Sequence, residues 1–159
     1  MKNIFEIKRF YIIIFTISLL SLLIALYIEF FLFYPPCKLC IYQRIPYLIA
    51  IFITLLGISY SKNLFWLYAL LLVFFSSFLL SGYHFGIEQE VFKEFSGCTG
   101  NSLDIIDKNE LLKILNSEVN SCKNVDFRIL GLSLATINFL LSFIIFILIL
   151  KVIRNEKNK

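Results

Sequence analysis

Along the chain, polar and charged residues gather at a few places and leave long apolar runs between them. Four stretches carry no charged residue: Phe10 to Ile28, Ile45 to Ser61, Asn63 to Ile87 and Ile129 to Leu150. A helix rising about 1.5 Å per residue needs roughly 20 residues, and tolerates about 17 to 25, to cross about 30 Å of hydrocarbon, and all four stretches fit. The pattern predicts an all-α membrane protein. It is a four-transmembrane-helix bundle forming a single domain over residues 1–159, with spans at about 10–30, 44–61, 63–86 and 129–150. Two extracytoplasmic loops, about 31–43 and 87–128, join the spans. Unpaired backbone groups are excluded from lipid, and no alternating segments of about ten residues mark a barrel. The first run exceeds the roughly 7 to 15 apolar residues of a signal-peptide core and leads into bulky "IEFFLFYPP", so it is read as a retained span.

Within the second loop, "DKNELLKIL" from Asp107 places Glu110 three residues on, before Leu111, Leu112, Ile114 and Leu115, which predicts a short amphipathic helix. The piece "IEQEVFKEF" offers Ile87, Val91, Phe92 and Phe95 on one side of a helical register. Composition agrees with the membrane reading: of 159 residues 59% are hydrophobic and 16% charged, with 18 Phe and a mean hydropathy of +0.84.

Charge then orients the bundle. Lys2, Lys8, Arg9, Lys62, Lys151, Arg154, Lys157 and Lys159 flank one side, eight positive against Glu6 and Glu156. The other side sets seven positive residues against nine negative ones. Both termini are expected in the cytoplasm of a bacterial inner (plasma) membrane, with the loops periplasmic. The basic tail is read as this orientation signal and not as a nucleic-acid patch.

All four cysteines fall in the two outer loops, Cys37 and Cys40 in the first, Cys98 and Cys122 in the second, a face where disulfides form. Cys37 and Cys40 have the spacing that opens and closes a small disulfide ring. Pro46 fits the first turn of a helix, which places the pair just ahead of the second span's amino terminus, where the positive dipole end favours a thiolate. Arg44 adds a positive charge four residues past Cys40. Gly97 and Gly100 loosen the backbone around Cys98.

Four readings compete for these thiols. Two static disulfides would staple the loops. A four-thiolate metal site would use Cys98 and Cys122, whose separation is far wider than the tight pairs of zinc sites. A transporter would need ionisable residues inside the spans, for which Glu29 at a helix end is a poor candidate. The residues favour redox exchange, one dithiol at the membrane and another on a loop. Haem-attachment, dinucleotide and phosphate-loop motifs are absent from the sequence, so a quinone dissolved in the bilayer is the expected acceptor.

"PCKLCIYQR", the distal Cys98 and Cys122, the four spans and "CKNVDFRILGLSLA" together resemble the disulfide bond formation protein B (DsbB) family of the bacterial inner membrane, over nearly the whole chain. The resemblance implies a thiol:quinone oxidoreductase, protein-disulfide-forming, that reoxidises a DsbA-like periplasmic thioredoxin-fold protein and delivers two electrons to ubiquinone or menaquinone. It implies that Cys37 and Cys40 are the quinone-proximal pair, with Cys40 the thiolate facing quinone. Cys98 would form the mixed disulfide with the partner, Cys122 would exchange with Cys37, and Arg44 and His84 would bind quinone. Phe127 stands where the family carries a tryptophan, and Pro46 is not universal. No metal is expected in the redox reading. The alternative is a disulfide-stapled or metal-binding membrane protein without redox turnover. Enzymes like vitamin K epoxide reductase share four helices and the spaced pair, but place that pair at a later span.

Overall fold

A computed structural model describes residues 2–34, 36–60, 63–92, 128–129 and 131–158. Four helices account for most of it: α1 (Lys2–Phe30), α2 (Lys38–Ser59), α3 (Phe65–Glu88) and α4 (Leu134–Lys157). Each is long and apolar enough to cross a membrane, α1 from Glu6 onward. The chain is a multi-pass membrane protein. Cys98, Cys122 and the expected loop helix from Asp107 lie outside the described residues.

The helices pack in chain order, α1 on α2, α2 on α3 and α3 on α4. Tyr11 and Ile14 of α1, Tyr47 and Ala50 of α2, Leu67, Leu70 and Phe74 of α3, and Ile145, Ile149 and Ile153 of α4 form one core. Large apolar side chains point outward as well, Phe52 65% and Leu72 68% exposed. Such a surface suits lipid, since lipid removes the hydrophobic penalty that water imposes. Small hydroxyl residues occupy the helix contacts. Thr54 and Ser81, fully buried, return their hydroxyls to the carbonyls of Ala50 and Ser77 at 2.8 Å, which satisfies them inside their own helices.

The ends of the elements place the site. α2 starts earlier than a first-turn Pro46 implies: Cys37, extended at φ −68° and ψ 163°, is the N-cap, and Pro46 lies well inside the helix. Two causes act together. Pro36 biases its neighbours away from helix upstream, and the Cys37 sulfur accepts the Cys40 amide at 3.3 Å, capping the helix at that point. A buried proline inside a membrane helix is tolerated where neighbouring helices and local adjustments absorb the lost hydrogen bond. At the far end of α3 the chain reverses. Glu90 takes a positive φ of 60°, and the amides of Val91 and Phe92 both donate to the Gly86 carbonyl, at 2.9 and 3.2 Å. The expected helical register through Val91 and Phe92 is therefore broken after Glu88, and Phe92 packs on Tyr83 with ring centroids 5.8 Å apart. A side chain at Gly86 would meet the Phe92 ring, which would have to shift to admit it. Gly82 instead faces Phe139 of α4, a helix contact.

A two-residue antiparallel ladder, β1 (Arg128–Ile129) with β2 (Leu132–Ser133), precedes α4 and turns through Gly131 at φ 82°. Ser133 then caps α4, accepting the Thr136 amide at 3.1 Å.

Gly57 fixes how closely α1 approaches α2, because a Cβ there would stand 2.6 Å from the ring of the fully buried Tyr11. Gly57→Val is expected to cost about 1–3 kcal/mol by overpacking. The readout is a lower thermal unfolding midpoint in detergent, partly restored by adding Tyr11→Ala; an unchanged midpoint would contradict this account of the interface.

Candidate active site

The site is built at the end of the bundle where α2 begins and α3 finishes. Positions 37 and 40 are three apart, so the first turn of α2 brings both cysteine side chains to one face. Their sulfurs stand 3.0 Å apart as reduced thiols, with Cys37 donating to Cys40. A disulfide needs about 2.05 Å, so closing the bond asks for a displacement of only about 1 Å. Cys37 is buried and Cys40 half-buried, and with Leu39 and Ile87 the pair forms a small apolar cluster flanked by Leu80 and Tyr83.

Three helices supply what surrounds Cys37. His84, one turn before the end of α3 and 3% exposed, places Nε2 3.7 Å from the Cys37 sulfur. Gln43, on the next turn of α2, directs Nε2 to His84 Nδ1 at 3.0 Å. Asn138 of α4 donates from Nδ2 to Gln43 Oε1 at 2.9 Å and accepts at Oδ1 from the Tyr47 hydroxyl. Ser142 and Ser77, their hydroxyls 2.9 Å apart, continue the polar line into the bundle. Glu88, one turn after His84, lies 3.8 Å from its Nε2 and accepts from the Ser133 hydroxyl, which ties the end of α3 to the start of α4.

Arg44 lies one helical turn past Cys40 on α2, and its guanidinium pairs with Glu29 at the end of α1. Both side chains remain partly exposed at the bundle edge, 20% and 28%. Arg44 is therefore a held group, fixed in direction by a carboxylate, and not a free snorkelling anchor.

The Cys37 thiol is pushed up to about 12, first by its hydrogen bond to Cys40 and then by burial, while His84 acts in the opposite sense. Cys37 thus keeps its proton at neutral pH and directs it at Cys40. Cys40 is the acceptor of that bond and the more accessible of the two sulfurs.

Cys37, Cys40 and His84 also offer three ligand atoms within 4.8 Å of one another. Two thiolates on a tetrahedral zinc, each at about 2.3 Å, would stand about 3.8 Å apart. The observed 3.0 Å suits a dithiol on the way to a disulfide better than a metal cradle.

Of the residues expected from sequence, the structure brings together Cys37, Cys40 and His84, with Arg44 on the next turn; Cys98 and Cys122 lie outside the described residues. Sequence reasoning passed over Gln43, Asn138, Tyr47 and the Glu29 partner of Arg44. A signal for one of them is present: a polar amide inside a membrane span is costly and marks function by default, and Asn138 is the only amide side chain in the last charge-free stretch, whereas Gln43 falls in the expected first loop.

A reduced dithiol at the cap of one helix, set at the end of an apolar four-helix bundle, is the arrangement expected of a membrane-embedded thiol oxidoreductase. The sequence pattern of the family described as disulfide bond formation protein DsbB matches residues 7–152. The chain belongs to that family, and so to the disulfide-forming oxidoreductases. It is 30% identical over 137 residues to an uncharacterized protein of Rickettsia prowazekii (strain Madrid E), covering 82% of this chain and 78% of that protein. It is 29% identical over 108 residues to disulfide bond formation protein B of Xylella fastidiosa (strain Temecula1 / ATCC 700964), covering 62% of each.

Because Cys40 is the largest cause of the raised Cys37 value, Cys40→Ala is expected to move the pH midpoint of Cys37 alkylation downward from about 12. Adding His84→Ala should move it back up, since His84 favours the thiolate. Iodoacetamide labelling across pH, with peptide mapping to isolate Cys37, checks both directions; a midpoint that ignores Cys40 would remove the thiol–thiol bond as the cause.

Proposed function

We propose that the chain is a thiol:quinone oxidoreductase that reoxidises a DsbA-like thioredoxin-fold dithiol protein and so sustains disulfide formation outside the cytoplasm. The observation that carries the reading is the polarised reduced pair at the start of a membrane helix, with Cys40 as the hydrogen-bond acceptor and the Arg44 cation on the next turn. Family membership supports the role in disulfide formation. The basic flanks of the spans support termini in the cytoplasm of a bacterial inner membrane and cysteine loops in the periplasm.

In the proposed cycle a partner thiolate attacks Cys98 of a Cys98–Cys122 disulfide, forming a mixed disulfide and releasing Cys122 as thiolate. Cys122 attacks Cys37 of the oxidised Cys37–Cys40 pair and releases Cys40 as thiolate. The partner's second thiol displaces Cys98, so the partner leaves oxidised, and Cys98 then displaces Cys37 from Cys122. Two electrons and two protons now reside on Cys37 and Cys40. Quinone, ubiquinone or menaquinone, supplies a two-electron, two-proton acceptor soluble in the bilayer. The residues present fit such a group: the half-buried Cys40 sulfur and the Arg44 guanidinium sit on one helix face at the bundle edge, where a donor to a carbonyl oxygen is needed. In this arrangement Cys37 holds its proton until it closes on Cys40, Arg44 orients the acceptor, and Glu29 orients Arg44. A partner poised near about −120 mV is drained downhill by any acceptor of higher potential, each 30 mV contributing about 1.4 kcal/mol.

Purified protein given a reduced thioredoxin-fold partner and a soluble quinone is expected to consume quinone, and Cys40→Ser to reduce the rate to background. Cys122→Ser should accumulate a partner complex linked through Cys98, visible on non-reducing gels. Arg44→Met should raise the quinone concentration for half-maximal rate about tenfold or more, the loss of one charge-assisted hydrogen bond. Turnover retained in Cys40→Ser would overturn the role of Cys40. Stoichiometric zinc without any turnover would favour a metal-binding or stapled protein instead.

A further inference from the structure

Behind Cys37 runs a series of hydrogen bonds that the proposed exchange steps do not themselves use, and the orientation of its two amides gives it a direction. The Tyr47 O–H donates to Asn138 Oδ1. Asn138 Nδ2 donates to Gln43 Oε1 at 2.9 Å, which leaves Gln43 Nε2 facing His84 Nδ1 at 3.0 Å. An amide nitrogen carries hydrogens and accepts nothing, so Nδ1 is the bare nitrogen and the ring hydrogen sits on Nε2. The opposite edge of the ring agrees, since Nε2 lies 3.7 Å from the Cys37 sulfur, within reach of a hydrogen bond to sulfur, and 3.8 Å from the Glu88 carboxylate. Gln43 is 7% and His84 3% exposed, so water does not offer the ring an alternative set of partners.

We propose that Tyr47, Asn138 and Gln43 act in series as a tautomer lock on His84, holding its hydrogen on Nε2 so that the neutral imidazole is a standing hydrogen-bond donor to the Cys37 sulfur. The consequence rests on the thiol-exchange reading above, whereas the geometry stands without it. A ring fixed in this form receives no proton at Nε2 from Cys37, in keeping with the Cys37 S–H pointing at Cys40. It does supply a donor each time Cys37 departs as thiolate from a disulfide, in a place too buried for water to serve. Gln43 hydrogen-bonds the ring, and Asn138 and Tyr47 act on it only through Gln43; all three are positioning residues.

One competing arrangement is internally consistent. If Tyr47 accepted from Asn138 and donated to Ser142, whose hydroxyl is 3.5 Å away, every link would reverse and Nδ1 would carry the hydrogen. The structure orients the amides the other way, with Ser142 also 3.4 Å from Asn138 Oδ1 and directed at it as a donor.

His84 is the only histidine in the chain, so full-length protein labelled with ¹⁵N-histidine reports a single ring. In detergent, with the cysteines reduced and at a pH above the usual imidazole range, Nδ1 is expected to show the shift of a bare nitrogen and Nε2 that of an N–H. Asn138→Asp, which once ionised offers only acceptors, forces the Gln43 amide to turn and should transfer the hydrogen to Nδ1 at a pH where its carboxyl is ionised, although residue 138 makes no hydrogen bond to the ring. Tyr47→Phe frees the Asn138 amide and should give a mixture of both forms. Quinone turnover should fall about tenfold in Asn138→Asp with the quinone concentration for half-maximal rate unchanged. Wild-type protein with its hydrogen on Nδ1 overturns the lock, whatever the variants do, and so does a folded Asn138→Asp that keeps the wild-type signature. Absence of wild-type turnover with the expected ring signature would overturn the thiol:quinone reading and leave the lock standing.

Discussion

Hydrocarbon offers polar groups no partner, and each one left unpaired there costs several kcal/mol. That constraint shapes everything at this end of the bundle. A dithiol placed against lipid brings with it an imidazole, a guanidinium and a carboxylate, and each must be answered from within the protein. The answers are drawn from all four helices: Glu29 of α1 for Arg44, Gln43 of α2 for His84, Glu88 of α3 for His84, and Asn138 of α4 for Gln43 and Tyr47. Removing any helix would strand a polar group contributed by another. The reactive pair is thus also what obliges the helices to converge, while apolar packing further along the bundle sets only how closely they do so.

The division of labour between the two sulfurs follows from the same geometry. Cys37 faces inward to the imidazole and keeps its proton, whereas Cys40 is more accessible and accepts the bond. Two identical side chains on one helix face become chemically distinct because one is buried against the imidazole and the other is left half-exposed.

Much of this was legible in the sequence, and for identifiable reasons. Helices in lipid must be long and nearly free of charge, so four charge-free runs were sufficient to place them, and the spacing of Cys37 and Cys40 with Arg44 pointed to the chemistry. The start of α2 lies earlier than a first-turn proline implies, because the stronger signal is a cysteine able to cap a helix after Pro36. The chain beyond Glu88 was extended as a helix by its apolar spacing, which a carbonyl at Gly86 accepting two amides overrides. The amide line was missed because Gln43 and Asn138 are 95 residues apart and share no motif. Only tertiary contact makes them neighbours.

The capping of α2 by Cys37 has a reciprocal side. A sulfur accepts a hydrogen bond most strongly as a thiolate and more weakly as a thiol or within a disulfide, so the firmness of the first turn varies with the oxidation and protonation state of the atom that holds it. By linkage, a helix that is held more firmly by one state also favours that state. The opening turn of α2 and the sulfur that closes it therefore form a single thermodynamic unit, in which backbone order is traded against electron count. Any change that stiffens or frays that turn alters the reduction potential of the pair without touching either cysteine.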